Sequence, residues 1–322
     1  MWQDQPKIRR GVGRVTSAIT AVALFSGGAV SMAGAEAIEI KPNLEVGQTF
    51  NQRVSMNQDI EQSFMGNTMN ITMDMRFDFS TEVLEETEPG VYRLKMTYDR
   101  VEAMADGPMG AGRWESGDPP PMNPMLSGFA AMDGMELTYD MDESGKASNV
   151  EGTEAMLEKA MQGVPENMRP MMRETLGEQF SNEQMAAMIN MGGVLYPGKP
   201  VDVGESWTGD AELGGMMPLS ISSELTLTDS DAQTATVEIA GSMKTPDGAA
   251  MTIGPGMEAE MKMDGGQNGT VVFNRDTGWA DAMEMTQSFE GQLTMPNPTD
   301  PNGPEMTIPM KVDIDLTLET LD

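Results

Sequence analysis

Apolar and polar residues alternate one by one over long stretches of this chain. Met69, Ile71, Met73, Met75, Phe77 and Phe79 alternate with Asn70, Thr72, Asp74, Arg76, Asp78 and Ser80. Near the end, Met306, Ile308, Met310, Val312, Ile314, Leu316 and Leu318 alternate with Thr307, Pro309, Lys311, Asp313, Asp315, Thr317 and Glu319. Leu219, Ile221, Leu225 and Leu227 make a third run, and Met257, Ala259, Met261 and Met263 a shorter fourth. Successive side chains of a strand point to opposite faces, so the pattern predicts strands with one buried and one wet face. Such strands imply an antiparallel sheet.

The same order of signals occurs twice. Gly47-Gln48-Thr49-Phe50 opens one series and Gly204-Glu205-Ser206-Trp207 the other. Each continues with a long alternating strand (Met69–Phe79; Leu219–Leu227), an acidic turn (Glu85–Gly90; Asp229–Gln233) and a returning strand (Tyr92–Tyr98; Thr236–Met243). A Gly- and Pro-rich excursion follows in each, Ala105–Gly134 and Thr245–Gly256, and then a hairpin turn at Asp142–Gly145 or Asp276–Gly278. Little residue identity accompanies the shared order. Duplication is therefore expected from plan alone, against the alternative that any meander of hairpins is self-similar.

Between the two series the period becomes helical. Thr153–Gln162 has helical composition. Pro165 opens a second helix carrying Met168, Met171, Met172 and Leu176. Ser181 with Gln184 forms a capping box for a third, carrying Met185, Met188 and Ile189 and stopped by Gly192-Gly193. Their apolar stripes need a surface to cover, and the sheet supplies one. The predicted fold is mainly β (α+β): two tandem antiparallel β-meander repeats forming a curved sheet or half-barrel, with a helical insertion between them. The expected division is 1–35 leader, 36–150 first repeat, 151–193 helical insertion and 194–322 second repeat.

The leader carries Lys7, Arg9, Arg10 and Arg14, then an uncharged stretch from Val15 to Val30, then Ala33-Gly34-Ala35. This is the order of a signal peptide cleaved after Ala35. The apolar run is short and broken by Gly27-Gly28, which suits a signal better than a membrane span. Arg9-Arg10 is followed by Gly-Val-Gly, so twin-arginine export is the weaker reading. Export to the periplasm or the exterior of a bacterial cell is expected, with no transmembrane segment after cleavage.

Charge then narrows the partners. The chain holds 51 acidic and 20 basic residues, a net charge of −31, and the leader takes four of the basic ones away. Such a field repels nucleic acid and anionic membrane surfaces. Cysteine and histidine are both absent. Ser-His-Asp and Cys-His nucleophiles, His or Cys zinc sites and His-ligated haem are thereby excluded.

Methionine is the unusual residue, at 35 against 17 leucines. Met73/Met75, Met168 with Met171-Met172, Met216-Met217, Met261/Met263 and Met283/Met285 cluster. Soft thioethers bind Cu(I), which is one reading. The i, i+2 spacing on strands puts both sulfurs on one face beside Ile71, Phe77 and Phe79, which is the pattern of an adaptable core. From Asp140 to Glu151, Asp140, Asp142, Ser144, Gly145 and Glu151 have the spacing of a Ca²⁺ loop. A strand-like Met135–Tyr139 precedes it where a helix is required, so a hairpin explains the same residues. Acidic pairs for glycoside hydrolysis are too common by chance here to be informative, and Trp114, Trp207 and Trp279 could serve as a sugar platform or as core.

One segment is more specific: Tyr196-Pro197-Gly198-Lys199-Pro200-Val201-Asp202-Val203-Gly204-Glu205-Ser206-Trp207. This Pro-x-Lys-Pro-Val-x-Val-Gly-x-Ser-Trp run resembles a family of uncharacterised exported bacterial proteins known only as a domain of unknown function. There a signal peptide, an opening Gly-x-x-Phe/Tyr strand, a helical middle and this run recur in order. The resemblance spans about residues 40 to 322, departs in the Gly-rich stretch before Pro218 and in methionine content, and implies no functional residues. Physically, the prolines end the helical insertion, Gly204 permits a turn and Trp207 anchors in the core. The expected function is a non-catalytic exported envelope protein, without cofactor, that binds an apolar or lipid-like ligand on a concave Met-lined sheet face. The alternative is metal binding, by Cu(I) at the methionines or Ca²⁺ at 140–151.

Overall fold

The structure is a computed structural model that describes residues 37–321 except 65–66, 109, 120, 122, 162–165, 167–168, 171–172, 174–176, 178–179, 215–217, 255–256 and 297–303. The expected leader, Met168, Met171-Met172 and Leu176 of the second expected helix, and Met216-Met217 lie outside the described residues.

Alternation produces strands along nearly the whole chain. They are β1 (Thr49–Phe64), β2 (Asn67–Glu88), β3 (Val91–Asp106), β4 (Gly112–Glu115), β5 (Glu136–Met141), β6 (Ala147–Glu151), β7 (Ser206–Leu213), β8 (Leu219–Ser230), β9 (Thr234–Lys244), β10 (Ala250–Gly254), β11 (Met257–Asn274), β12 (Ala280–Met295) and β13 (Met306–Thr320). Among the described residues the helices are α1 (Pro124–Met132), α2 (Thr153–Ala160) and α3 (Asn182–Gly193).

The strands form one open antiparallel sheet of thirteen strands in the order β6-β5-β3-β2-β1-β13-β12-β11-β9-β8-β7, with β4 added to β3 and β10 to β11. The first and last long strands meet at its centre, where Met56 lies opposite Leu316 and Ile60 opposite Val312. The sheet ends at β6 and β7, and α3 packs against both of these edge strands. Met185 of α3 joins a buried cluster with Leu137, Tyr139, Met141 and Val150, while Met191 of the same helix packs on one with Leu219 and Ile221. Asn190 of α3 also caps the β6 edge. Its side-chain amide accepts from the Ala147 N–H at 2.6 Å and donates to the Ala147 carbonyl at 3.2 Å, replacing the missing neighbouring strand.

Several sequence expectations are met. Ser181 caps α3 by accepting from the Gln184 N–H at 3.2 Å. The hairpin between β5 and β6 turns at Asp142, whose Oδ1 accepts from the N–H groups of Ser144 and Lys146, with Gly145 at φ 77°. Others need correction. Met188 is 54% exposed and takes no part in the helix's buried stripe. The two excursions are not simple loops: the first contains β4 and α1, the second β10. The opening Gly47–Phe50 leads from a turn at Gly47 into the 16-residue strand β1, and β11 continues past Met263 through Gly265-Gly266 to Asn274.

Candidate functional site: the uncharged face of the sheet

Cross-strand register assigns each residue to a face. One row runs Gly209, Ser223, Gly241, Gln267, Gln287, Ile314, Gln58, Met73 and Ala105 across β7, β8, β9, β11, β12, β13, β1, β2 and β3. The row on one side runs Trp207, Leu225, Ile239, Gly269, Met285, Leu316, Met56, Met75 and Ala103. On the other side it runs Ala211, Ile221, Met243, Gly265, Phe289, Val312, Ile60 and Ile71. None of these positions is charged, although the chain is strongly acidic.

The middle row is polar on its β8–β12 side. Gln267, buried, donates from Nε2 to Ser223 Oγ at 2.7 Å, and its Oε1 accepts from Gln287 Nε2 at 3.1 Å. Gln287 Nε2 also lies 3.4 Å from Met285 Sδ. Beyond Ile314 the row continues with Gln58, half-buried and without a protein partner for its amide among the described residues.

Glycine recurs on this face at close approaches between strands. A Cβ on Gly265 would lie 2.2 Å from the Ser288 carbonyl oxygen, one on Gly269 2.5 Å from that of Glu284, and one on Gly291 2.0 Å from that of Lys262. The backbone there accepts only hydrogen, the usual role of glycine within a bent strand.

Packing on the face is uneven. Below the middle row Val312, Phe289, Met243, Ile308 and Leu293 form a buried floor. Above it, Met56, Met73 and Phe77 border a cluster built on Met75, Val101, Trp114 and Leu126 of α1, while Met283, Met285 and Trp207 border a second built on Leu225, Ile239 and Val271. Between these borders Val54, Leu316 and Leu318 are half-buried and belong to none of the four clusters. An apolar strip over β12, β13 and β1 is therefore left partly open.

The opposite face is mostly polar, with Met104, Val272 and Ala282 among its apolar exceptions. Arg53 of β1 grips Asp78 of β2 with two hydrogen bonds of 2.6 and 2.8 Å, and the guanidinium holds that carboxyl below the usual carboxylate range. Asp313 is held low by the Ser288 hydroxyl at 2.7 Å and by Lys311. A shallow depression on this face is lined by Glu224, Glu238 and Glu284 with Thr226, Thr270 and Thr286. No helix among the described residues is long and apolar enough to cross a membrane.

The residues singled out from sequence separate accordingly. Met73/Met75, Met261/Met263 and Met283/Met285 all lie on the uncharged face, as their spacing requires. Within 140–151, burial pushes the Asp140 carboxyl up, but Arg93 at 2.5 Å and the Asn149 amide at 2.7 Å pull it below its ordinary range. Glu151 faces the same Arg93 at 3.6 Å. These carboxylates are engaged in holding the hairpin to β3. Among the described residues no group of three or more Asp or Glu side chains is placed to hold a metal ion.

The tryptophans do not share a platform. Trp114 is buried beside α1 and donates to the Pro119 carbonyl at 3.1 Å. Trp279 stacks on Phe50 with ring centres 4.5 Å apart and donates to Gln52 Oε1 at 3.0 Å. Trp207 packs in a third place, where its buried Nε1 has no hydrogen-bond partner among the described residues.

The 196–207 run is a joint. Val201 is fully buried and exchanges two 2.9 Å backbone hydrogen bonds with Ile38, Tyr196 donates its hydroxyl to the Gly278 carbonyl at 3.0 Å, and Gly204 turns the chain at φ 92° into β7. Sequence reasoning missed Gln58, Gln267 and Gln287. The available signal was a polar residue at an inward position in a strand whose neighbours two residues away are apolar.

Comparison with known proteins adds little about role. DynF from the dynemicin biosynthesis pathway of Micromonospora chersina is 7% identical, with 88% of this chain and 85% of that chain covered at a TM-score of 0.18. An outer membrane channel from Pseudomonas putida F1 is 7% identical, with 87% and 97% covered at a TM-score of 0.23. Neither likeness is strong enough to carry an argument. No curated protein matches the sequence. The family of unknown function DUF6263 matches residues 89–280, more than half of the chain, and the chain belongs to that family.

Proposed function

We propose that this is a non-catalytic, exported envelope protein that holds an apolar, lipid-like molecule against a concave, methionine-lined sheet face. The observation that carries the reading is the half-buried strip of Val54, Leu316 and Leu318 between two packed clusters, on a face without charge. Water is a poor neighbour for such a strip, and an acyl chain a good one. Methionine suits the role because its unbranched side chain repacks easily around differing ligands.

Concavity is supported by the two edges. Eleven strands lie on the hydrogen-bonded path, a width of about 48 Å if flat at ~4.8 Å per strand. Helix α3 is only about 18 Å long, yet it packs against both edge strands, β6 and β7. The sheet must roll to bring them there, and glycines at its close approaches permit that bend. Two tandem meanders are supported by pairing order: β1-β2-β3-β5-β6 corresponds to β7-β8-β9-β11-β12, each with a short strand in its excursion, and β13 joins the two. Export rests on the leader's charge and hydropathy pattern.

The test uses delipidated protein and N-phenyl-1-naphthylamine, an uncharged dye that fluoresces in apolar surroundings. Saturable binding is expected, lost in Leu316→Asp and retained in Asp315→Asn, whose side chain is on the opposite face. Folded wild-type protein that gives no saturable fluorescence overturns the reading.

A further inference from the structure

Resting on that reading of the face, we infer that its occupant is an uncharged lipid whose head carries hydroxyl or ester groups, of the monoacylglycerol or diacylglycerol class. The first ground is charge. The three central rows of the face offer no Lys, Arg, Asp or Glu to a ligand. A carboxylate, phosphate or ammonium head placed there is desolvated without a counter-charge, which is unfavourable. The chain's net charge of −31 adds long-range repulsion against an anionic head.

The second ground is hydrogen bonding. Gln58 and Gln287 flank Ile314 in one row, two strand spacings or about 10 Å apart. The Gln287 amide donates to Gln267 but keeps its oxygen for a ligand, and Gln58 keeps both donor and acceptor. Gln267 is occupied on both sides, by Ser223 and Gln287, and so positions Gln287 without needing a ligand. The free donor and acceptor of Gln58 and the free acceptor of Gln287 match a head that donates through hydroxyls and accepts through a hydroxyl or an ester carbonyl.

The third ground is where the tail can go. Immediately below the glutamine row the floor of Val312 and Phe289 is closed. Above it Met56, Leu316 and Met285, then Val54, Leu318 and Met283, are all half-buried. The head sits at the glutamines and the acyl chain runs from them over these residues. Affinity for the chain and selectivity for the head therefore come from different residues.

Displacement of N-phenyl-1-naphthylamine by 1-oleoylglycerol, oleate and oleylamine, each below its aggregation concentration, separates the two. All share one chain and differ in the head. The uncharged lipid should displace the dye at a concentration about tenfold or more below either charged one. Exchanging Gln58 and Gln287 together for leucine should remove about tenfold of that preference, the worth of one well-made hydrogen bond. Gln58→Glu, which keeps the shape, should move the preference toward oleylamine. Equal displacement by all three lipids, or a preference untouched by both sets of variants, overturns the assignment of the head and leaves the apolar reading standing. A dye that does not bind at all overturns the apolar reading itself, and the inference with it.

Discussion

Replacing Gln267 with leucine probes the polar row where it is most enclosed. Gln267 is 6% exposed and Ser223 4%, and the 2.7 Å bond between them lies among Leu225, Ile239 and Met243. Leucine has nearly the shape of glutamine, so the lost interaction dominates over any cavity. Gln287 is half-buried and can turn its freed amide to solvent, but the Ser223 hydroxyl cannot. The cost is therefore that of one buried unsatisfied hydroxyl, about 1–3 kcal/mol. Ser223→Ala strands the Gln267 amide in the same way, at a similar cost. The double variant strands neither group, so its loss should be smaller than that of either single variant by about 1–3 kcal/mol. Urea unfolding followed by tryptophan fluorescence measures this as shifts in midpoint at constant slope. Strict additivity of the two single losses would refute the enclosed pair.

Further predictions concern the glycines, the acid limb and export. Gly291→Ala puts a methyl 2.0 Å from the Lys262 carbonyl and 2.8 Å from Met263 Cα, and should destabilise by about 1–3 kcal/mol. By contrast Gly192→Ala, in α3 with no atom within 4 Å, should stabilise by about 0.5–1 kcal/mol, and thermal melts of both variants check the contrast. Asp78 and Asp140 are held below their ordinary range in the folded state. Their contribution is thus complete above the unfolded value of about 3.9 and is lost as pH falls through the folded one. Asp140→Asn should flatten the loss of stability below about pH 4, and an unchanged acid slope would contradict the pairing with Arg93. Secreted protein should begin at Glu36 on N-terminal sequencing, and an intact leader in the envelope fraction would contradict cleavage.

The strands that could be read from sequence are those whose inward positions are mostly apolar. β2 and β13 keep the alternation over long runs, and β8 breaks it only at Ser223, so the period of two survives. β1 escaped because Gln52, Gln58 and Gln62 take inward positions, which erases the contrast between its faces. β11 seemed to stop at Met263 because Gly265, Gln267 and Gly269 follow at inward positions. β12 is interrupted by Gln287 and Gly291 in the same way. The substitutions that hide these strands are the ones that build the polar row and allow the close approaches, so the uncharged face was least legible where it departs most from a plain apolar surface. Pairing of β1 with β13 was invisible for another reason. Nothing local in either strand names a partner more than two hundred residues away. Helix α1 was hidden by its composition, since Gly128 and flanking prolines read as loop while Leu126 and Phe129 supply the packing.

Methyl resonances of methionine test the central claim most directly, because thioethers stand both in the open strip and in the closed floor. On titrating methyl-¹³C-methionine protein with 1-oleoylglycerol, the signals of Met56, Met283 and Met285, assigned by single exchange to leucine, should shift and saturate together. Those of Met243, Met261 and Met263, buried in the floor, should stay in place. No shift in the first group, or equal shifts in both, would contradict a ligand seated on the open part of the uncharged face.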